Sequence, residues 1–241
     1  MKNDARYELY YWPEIQGRGE FVRLALEEAA APYVDVARQP GPAGGVKAMM
    51  KLLRGPEGQV GPFAPPFLKD GDVLLAQTAS ILAYLGPRHG LAPADEAGRA
   101  HALQLQLTIA DLVAEVHDTH HPLSPGLYYE DQRPEARRRA AAFVKERLPK
   151  FLGYFERVLG PREYLAGNAL SYADLSAFQG VCGLRYAFPR AMARLAPTVP
   201  GLIGLHDRVS VLPRIRAYLA SERRIPFNEM GIFRHYPELD R

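Results

Sequence analysis

The strongest structural signal in the sequence is Pro65-Pro66-Phe67-Leu68-Lys69-Asp70-Gly71, which a short apolar run connects to Gln77-Thr78. X–Pro bonds carry only a small penalty for the cis form, so a proline that closes a loop before an apolar strand is a candidate cis peptide. A cis bond between Pro65 and Pro66 would leave the polar backbone groups of the preceding residue free for a ligand. The Asp-Gly pair predicts a tight turn and therefore a hairpin that returns through residues 73–75.

Gln77 and Thr78 are predicted to begin the helix that follows this hairpin. The first N–H groups of a helix lack partners within the helix, and together with the helix dipole they favour a bound carboxylate. The Gln amide donates and accepts hydrogen bonds, and the Thr hydroxyl adds a further donor and acceptor. The sequence therefore predicts a site for a peptide-like ligand with a free carboxylate.

The first part of the chain alternates between strand and helix patterns. The predicted order is strand, helix, strand, hairpin and helix, over residues 7–12, 18–31, 33–36, 67–75 and 77–85. The first three elements predict a right-handed parallel crossover. Residues 39–62 are rich in Gly and Pro, with room for a helix only at 46–53, and predict a long mobile loop at the edge of the ligand site.

Helical patterns dominate the rest of the chain. Pro87, Gly90 and Pro93 break the chain and predict a linker at about residues 87–96. The helices are predicted at roughly 97–120, 134–158, 172–187, 200–208 and 211–222. We therefore expect two domains, residues 1–87 and an all-α domain at 97–241. The final stretch, 225–241, is too apolar for a solvated tail, and we expect it to fold back near the substrate site.

Bulk properties are those of an ordinary globular protein and exclude several classes. The 241 residues are 47% hydrophobic and 24% charged, with a formal net charge of +3. No apolar run is long enough to cross a membrane, and the first residues form no secretory signal, so we expect a cytoplasmic protein that binds no membrane. The basic run at 133–139 reads as a solvated helix face rather than a nucleic-acid site. The single cysteine, Cys182, excludes an internal disulfide.

Three stretches at matching spacing carry a resemblance to a known family. They are Tyr7-Glu8-Leu9-Tyr10-Tyr11-Trp12, Gly17-Arg18-Gly19-Glu20-Phe21-Val22-Arg23-Leu24 and Gly167-Asn168-Ala169-Leu170-Ser171-Tyr172-Ala173-Asp174. The last contains the S-x-x-D spacing of a helix capping box. With the proline hairpin, these parts resemble the cytosolic glutathione transferases over nearly the full chain, in particular Tyr-type, sigma-like members. The resemblance implies an α/β N-terminal thioredoxin-like domain that binds glutathione, an all-α C-terminal domain that contributes the electrophile site, and a homodimer.

The resemblance assigns catalysis to Tyr11. The chemistry requires glutathione as the thiolate, because the thiolate is the nucleophile, and a free thiol has a pKa near ~8.5. A hydroxyl aimed at the sulfur stabilises the anion, and a shift of about two pKa units costs only ~3 kcal/mol. In a regular strand Tyr10 would point to the opposite side, so at most one of the two serves the sulfur. Both tyrosines could alternatively be packing residues of a strand.

The remaining site residues also follow from the resemblance. Gln77 and Thr78 would bind the γ-glutamyl group. Pro65, before Pro66, would offer only its carbonyl to the cysteinyl part, because proline has no N–H. The glycine carboxylate would meet Lys47, Lys51 or Arg54, with Lys51 as the chosen candidate. Arg18 would support the glutathione site, Tyr10 and His117 would line the electrophile site, and Asp111 would reach the ligand across a dimer.

The function predicted at this point is conjugation of the glutathione thiolate to a small apolar electrophile. Two alternatives stay open: a non-catalytic binding protein on the same fold, and a glutathione-dependent isomerase or peroxidase. His117 and His121 lie four residues apart on a helix, yet no further ligand is marked, so no metal is predicted. Glutathione is expected as a co-substrate, and no other cofactor is expected.

Overall fold

The computed structural model describes residues 7–55 and 60–241. Within them the first part of the chain forms a four-stranded mixed sheet in the order β2-β1-β3-β4. The strands are β1 Tyr7–Tyr10, β2 Tyr33–Asp35, β3 Phe67–Asp70 and β4 Val73–Ala76. β1 pairs parallel with β2 and antiparallel with β3, and β3 pairs antiparallel with β4. The predicted parallel arrangement of the first two strands and the predicted hairpin are both confirmed.

Three helices cover the two faces of this sheet: α1 Gly19–Glu28, α2 Gly45–Arg54 and α3 Thr78–Arg88. Because side chains alternate along a strand, β1 contributes to both faces. Tyr7 and Leu9 pack with residues of α1 and α3. Tyr10 packs on the other face, with Met49 of α2. The part of the predicted 39–62 loop at residues 56–59 lies outside the described residues, as does the N-terminal stretch 1–6.

The second part of the chain is mainly helical. Its helices are α4 Glu96–Asp118, α5 Arg133–Ala142, α6 Leu148–Leu159, α7 Tyr172–Ala187, α8 Pro189–Leu195, α9 Pro200–Ser210 and α10 Pro213–Leu219. A π-helical turn, Phe143–Arg147, separates α5 from α6 where one long helix was predicted. The short helix α8 was not predicted. The predicted fold class, a small α/β unit followed by an all-helical unit, is confirmed.

The capping box at the start of α7 forms as its sequence predicts. The Asp174 carboxylate accepts hydrogen bonds from the backbone N–H of Ser171 at 2.8 Å and of Leu165 at 2.7 Å. α7 is buried over most of its length and packs against α1, α4 and α9. This helix therefore joins the helical unit directly to the helix that follows β1.

Residues 225–241 fold back onto the protein, as their apolar composition predicts. The ring of Tyr236 stacks on that of Tyr129 with centroids 3.8 Å apart. The carboxylate of Asp240 accepts the backbone N–H groups of Arg190, at 2.6 Å, and Ala191, at 3.0 Å, at the start of α8. These contacts fix the end of the chain, and the stretch before them crosses toward the loop between β1 and α1.

Candidate active site

Tyr11 lies directly after β1, and its side chain is only 4% exposed. The backbone N–H of Arg18 donates a hydrogen bond to its hydroxyl oxygen at 2.8 Å. An oxygen that accepts this bond still carries its own proton, which remains available to a further acceptor. The phenol oxygen therefore accepts a hydrogen bond from the protein, while its O–H can still donate one to a ligand.

The turn that supplies this N–H lies against the phenol ring. A Cβ atom added to Gly17 would lie 2.1 Å from the Tyr11 hydroxyl oxygen, and one added to Gly19 would lie 2.5 Å from Cγ of the same ring. Gly17 also has φ +46°, in the left-handed region that glycine adopts readily. The close approach of the Tyr11 ring therefore requires glycine at both positions. At position 17 the backbone conformation favours glycine as well.

Burial raises the pKa of Tyr11, so the phenol is neutral at physiological pH. The Arg18 N–H and the positive charges of Arg18 and Arg23 act in the opposite direction. The Arg23 guanidinium lies 5.9 Å from the centre of the Tyr11 ring and is itself fully buried, paired with Asp35 at 2.7 Å. A neutral phenol in a positive field is a strong hydrogen-bond donor toward an anion.

The start of α3 lies beside this turn. Thr78 Oγ1 donates to the carbonyl oxygen of Arg18 at 3.4 Å, so Tyr11, Arg18 and Thr78 are brought together. Gln77 is exposed, precedes α3 and has φ +68°. A non-glycine residue in this region stores strain on the order of 1–3 kcal/mol, and such strain clusters at functional sites. The Pro65–Pro66 bond is cis, as predicted.

The contacts of Tyr10 lend no support to its predicted role at the electrophile site, which stays a prediction. Its ring stacks on Phe67 with centroids 4.8 Å apart, and its hydroxyl donates to Glu8. Both contacts lie on the sheet face that α2 covers, because neighbouring residues of a strand point to opposite faces. Lys51 is exposed in the last turn of α2 and lines a groove with Tyr10 on this same face. The structure does not bring Lys51 together with Tyr11, and its role stays a prediction.

A cluster of three imidazoles lies at the end of α4 and in the residues directly after it. The ring centroids of His117, His120 and His121 lie 4.7 to 5.1 Å apart. Burial lowers the pKa of His117 to about 4, with further lowering by His121, Arg18 and Arg234. His117 is therefore neutral at physiological pH and lies close to the Arg18 side of the site. Asp111, also on α4, is exposed, and its role across a dimer stays a prediction.

The C-terminal segment, residues 225–241, fills the space between the β1–α1 loop and the end of α4. His120 Nε2 is hydrogen-bonded to the carbonyl oxygen of Ile232 at 2.8 Å, and Asn228 Nδ2 donates to the carbonyl oxygen of Glu14 at 2.8 Å. Phe227, Ile232 and Phe233 lie against Gln16 and Gly17, leaving a cavity of only about 10 Å³ there. That is room for about one water molecule.

Several residues of this region were not predicted from the sequence. Gln16 and Gln179 are buried, and their carboxamides are hydrogen-bonded to each other at 2.7 Å. No local pattern marks either residue, because they are 163 positions apart in the chain. His120 belongs to a visible histidine-rich stretch, but its bond to the C-terminal segment carries no sequence signal.

Within the described ranges, 7–55 and 60–241, no group of three His, Cys, Asp or Glu side chains is arranged to hold a metal ion. In that same part of the chain, no helix has the length and apolar character needed to cross a membrane.

Comparison with known proteins places this arrangement in a family. A family model described as "Glutathione S-transferase, C-terminal domain" matches residues 117–222. "Glutathione S-transferase alpha I" of Oryctolagus cuniculus is 30% identical over 172 residues, covering 69% of this chain and 71% of the relative. The chain belongs to the glutathione S-transferase family.

Two further similarities extend over nearly the whole chain of this family member. "Glutathione S-transferase" of Plasmodium falciparum is 25% identical over 224 residues, covering 89% of this chain and 95% of the relative. The solved structure of the Pi-class glutathione S-transferase of Onchocerca volvulus has a TM-score of 0.70, with 23% identity and coverage of 94% of this chain and 99% of that one. The structural likeness shows the shared fold.

Proposed function

We propose that the chain is a glutathione transferase that holds the sulfur of glutathione as a thiolate through the hydroxyl of Tyr11. The observation that supports this most is the Arg18 N–H bonded to the Tyr11 oxygen at 2.8 Å, which leaves the phenol proton free to donate. Relatives named glutathione S-transferase support the same activity.

The free energy needed to stabilise the thiolate of glutathione is modest. A hydrogen bond to a charged group contributes about 1.5–3 kcal/mol, and one pKa unit corresponds to ~1.4 kcal/mol. The phenol therefore lowers the thiol pKa by about one to two units, from ~8.5 to near neutrality. The bound thiolate then attacks an electrophile held beside it, and holding both reactants together supplies much of the rate increase.

Glutathione would lie between Tyr11 and the start of α3. Gln77 and Thr78 would bind the γ-glutamyl carboxylate, since α3 begins at Thr78 and its first N–H groups lack partners within the helix. The Pro65 carbonyl would accept from the cysteinyl N–H. Lys47, Lys51 and Arg54 remain candidates for the glycine carboxylate, and all three are exposed on α2.

The electrophile would enter beside His117, with Phe227 and Ile232 as apolar neighbours. These side chains favour an apolar molecule of limited size, because the C-terminal segment leaves little space next to Gly17. Isomerase or peroxidase activity would use the same thiolate, and the choice among these reactions depends on the electrophile that the site accepts.

We also propose a homodimer. Phe63 is 92% exposed, and α4 presents an exposed stripe at helical spacing made of Leu107, Ala110, Asp111 and Ala114. An exposed aromatic directly after the Gly- and Pro-rich stretch 39–62 and an uncovered helix face fit a second copy of the chain, which would bring the carboxylate of Asp111 toward the partner's ligand. We further propose a cytoplasmic location and two domains, at residues 1–87 and 97–241.

The test combines retention on immobilised glutathione with conjugation of a generic aryl halide. Tyr11→Phe is expected to lose about ten- to a hundredfold in rate while keeping retention, because it removes one charge-assisted hydrogen bond. Tyr10→Phe is the matched control: it removes a hydroxyl from the adjacent residue, which faces α2, and should leave the rate unchanged. Retention without turnover in the wild-type protein would favour a binding protein instead.

A further inference from the structure

Two buried carboxamides connect the helical unit to the Gly17–Arg18 turn, which lies against the Tyr11 ring and is called here the turn above Tyr11. Gln16 is 5% exposed and Gln179 of α7 is fully buried. Gln179 Nε2 donates to Gln16 Oε1 at 2.7 Å. The other end of the Gln16 side chain donates through Nε2 to the carbonyl oxygen of Ile225, where the C-terminal segment begins. The Gln16 side chain is thus held from two sides, by a helix and by the tail.

The connection continues from Gln179 back to α1. Arg224 Nη2 donates to Gln179 Oε1 at 3.0 Å, and Arg224 Nη1 pairs with Glu20 in the first turn of α1. Glu20 also accepts from the hydroxyl of Tyr218 at 2.7 Å. Both polar atoms of the Gln179 carboxamide therefore have partners. Buried polar networks of this kind fix geometry strongly when every member is satisfied.

The backbone of Gln16 places the turn itself. Its carbonyl oxygen accepts the Glu20 N–H at 3.0 Å and Arg23 Nη1 at 3.4 Å. Two residues later, the Arg18 N–H reaches the Tyr11 hydroxyl. Gly17, between them, has no side chain with which to fix its own position. The last side-chain anchor before the Arg18 N–H is therefore Gln16.

We infer that Gln16 and Gln179 are positioning residues, which hold the Gly17–Arg18 turn so that the Arg18 N–H stays on the Tyr11 hydroxyl and the phenol proton stays directed at the ligand. The catalytic consequence rests on the proposed transferase function. The positioning itself concerns one backbone N–H and can be measured without glutathione.

The test variant is Gln179→Met, which keeps the side-chain length and removes both polar atoms. It leaves Gln16 Oε1 and Arg224 Nη2 without their partner. Gln132→Met is the matched control. Gln132 is also fully buried, and its carboxamide accepts the Leu123 N–H at 2.9 Å, with no contact to the turn above Tyr11. Both variants should lower Tm, so a loss of stability alone does not separate them.

Amide hydrogen exchange of the protein without ligand gives the first result. Exchange at the Arg18 N–H should accelerate about tenfold in Gln179→Met and stay unchanged in Gln132→Met, because a tenfold change corresponds to the ~1.4 kcal/mol of one hydrogen bond. Unchanged Arg18 exchange in Gln179→Met, with Tm lowered as in the control, would overturn the inference.

The thiolate absorption of bound glutathione gives the second result. In Gln179→Met the pKa of the bound thiol should rise by about one unit, with kcat about tenfold lower at neutral pH and KM for glutathione within about twofold. The Gln16→Met/Gln179→Met double variant should lose less than the sum of the two single losses, because the bond between the two carboxamides is counted in both single variants. A wild-type protein that binds glutathione without ionising it would refute the proposed function, while Arg18 exchange would still decide the positioning.

Discussion

Gly17→Ala tests the packing of the turn on the phenol. At φ +46° an L-residue costs about 1–2 kcal/mol relative to glycine. The added Cβ would also lie 2.1 Å from the Tyr11 hydroxyl oxygen, closer than any real contact, so the turn or the ring must move. Forcing extra atoms into a packed site typically costs about 1–3 kcal/mol more. We therefore expect a total loss of about 2–5 kcal/mol in the free energy of unfolding.

Gly71→Ala supplies the matched control for backbone strain. Gly71 has φ +60°, and a Cβ there would meet nothing within 4 Å, so only the conformational cost of about 1–2 kcal/mol applies. The free energy of unfolding of both variants is measured in urea, and the difference between the two values gives the cost of the clash. Gly17→Ala should also lose the conjugation activity, since the Arg18 N–H can no longer reach the phenol, whereas Gly71→Ala should keep it. Equal stability losses in the two variants, with activity kept in both, would refute the packing described.

Three further predictions concern stability and assembly. Arg147 holds the pKa of the Glu115 carboxyl below its usual range, so Glu115→Gln should lower Tm by a few degrees at neutral pH, with a difference that vanishes as the pH falls through the folded-state pKa. Burial lowers the pKa of His120 to about 2, so the unfolded chain takes up a proton there below pH ~6.5 and the folded chain does not. Stability should fall as the pH drops from ~6.5, and His120→Gln, whose amide still reaches the Ile232 carbonyl, should reduce that slope by up to ~1.4 kcal/mol per pH unit in acid-titrated thermal melts. In sedimentation, Phe63→Ala should shift the proposed homodimer to monomer; a monomeric wild-type protein would refute the homodimer, and an unshifted dimer would place its interface elsewhere.

Local signals in the sequence were sufficient for most of the fold. The Asp70-Gly71 turn and the capping box of Ser171 and Asp174 each depend on residues within a few positions of one another, and both form as predicted. The long helix predicted at 134–158 is interrupted by a π-helical turn at Phe143–Arg147, which lies directly before Leu148 and Pro149, and proline has no N–H with which to continue a regular helix. The short α8 was missed because seven residues show too little periodicity.

The site was predictable only where its residues adjoin a local motif. Alternation along β1 predicted that Tyr10 and Tyr11 point to opposite faces. Tyr10 packs with Phe67 and Met49 of α2, and these contacts lend no support to its predicted role at the electrophile site. The apolar composition of residues 225–241 indicated that they fold back. The position at which they pack depends on long-range hydrogen bonds, such as that between Gln16 and Ile225, which no sequence pattern encodes.

Ionisation of glutathione by Tyr11 can be measured by a pH titration of glutathione bound to the protein, followed by the ultraviolet absorption of its thiolate. The midpoint should lie about one to two pH units below that of free glutathione in the wild-type protein and in Tyr10→Phe, and it should return toward the free value in Tyr11→Phe. A wild-type midpoint equal to that of free glutathione, or a midpoint that Tyr11→Phe leaves unmoved, would contradict ionisation by Tyr11.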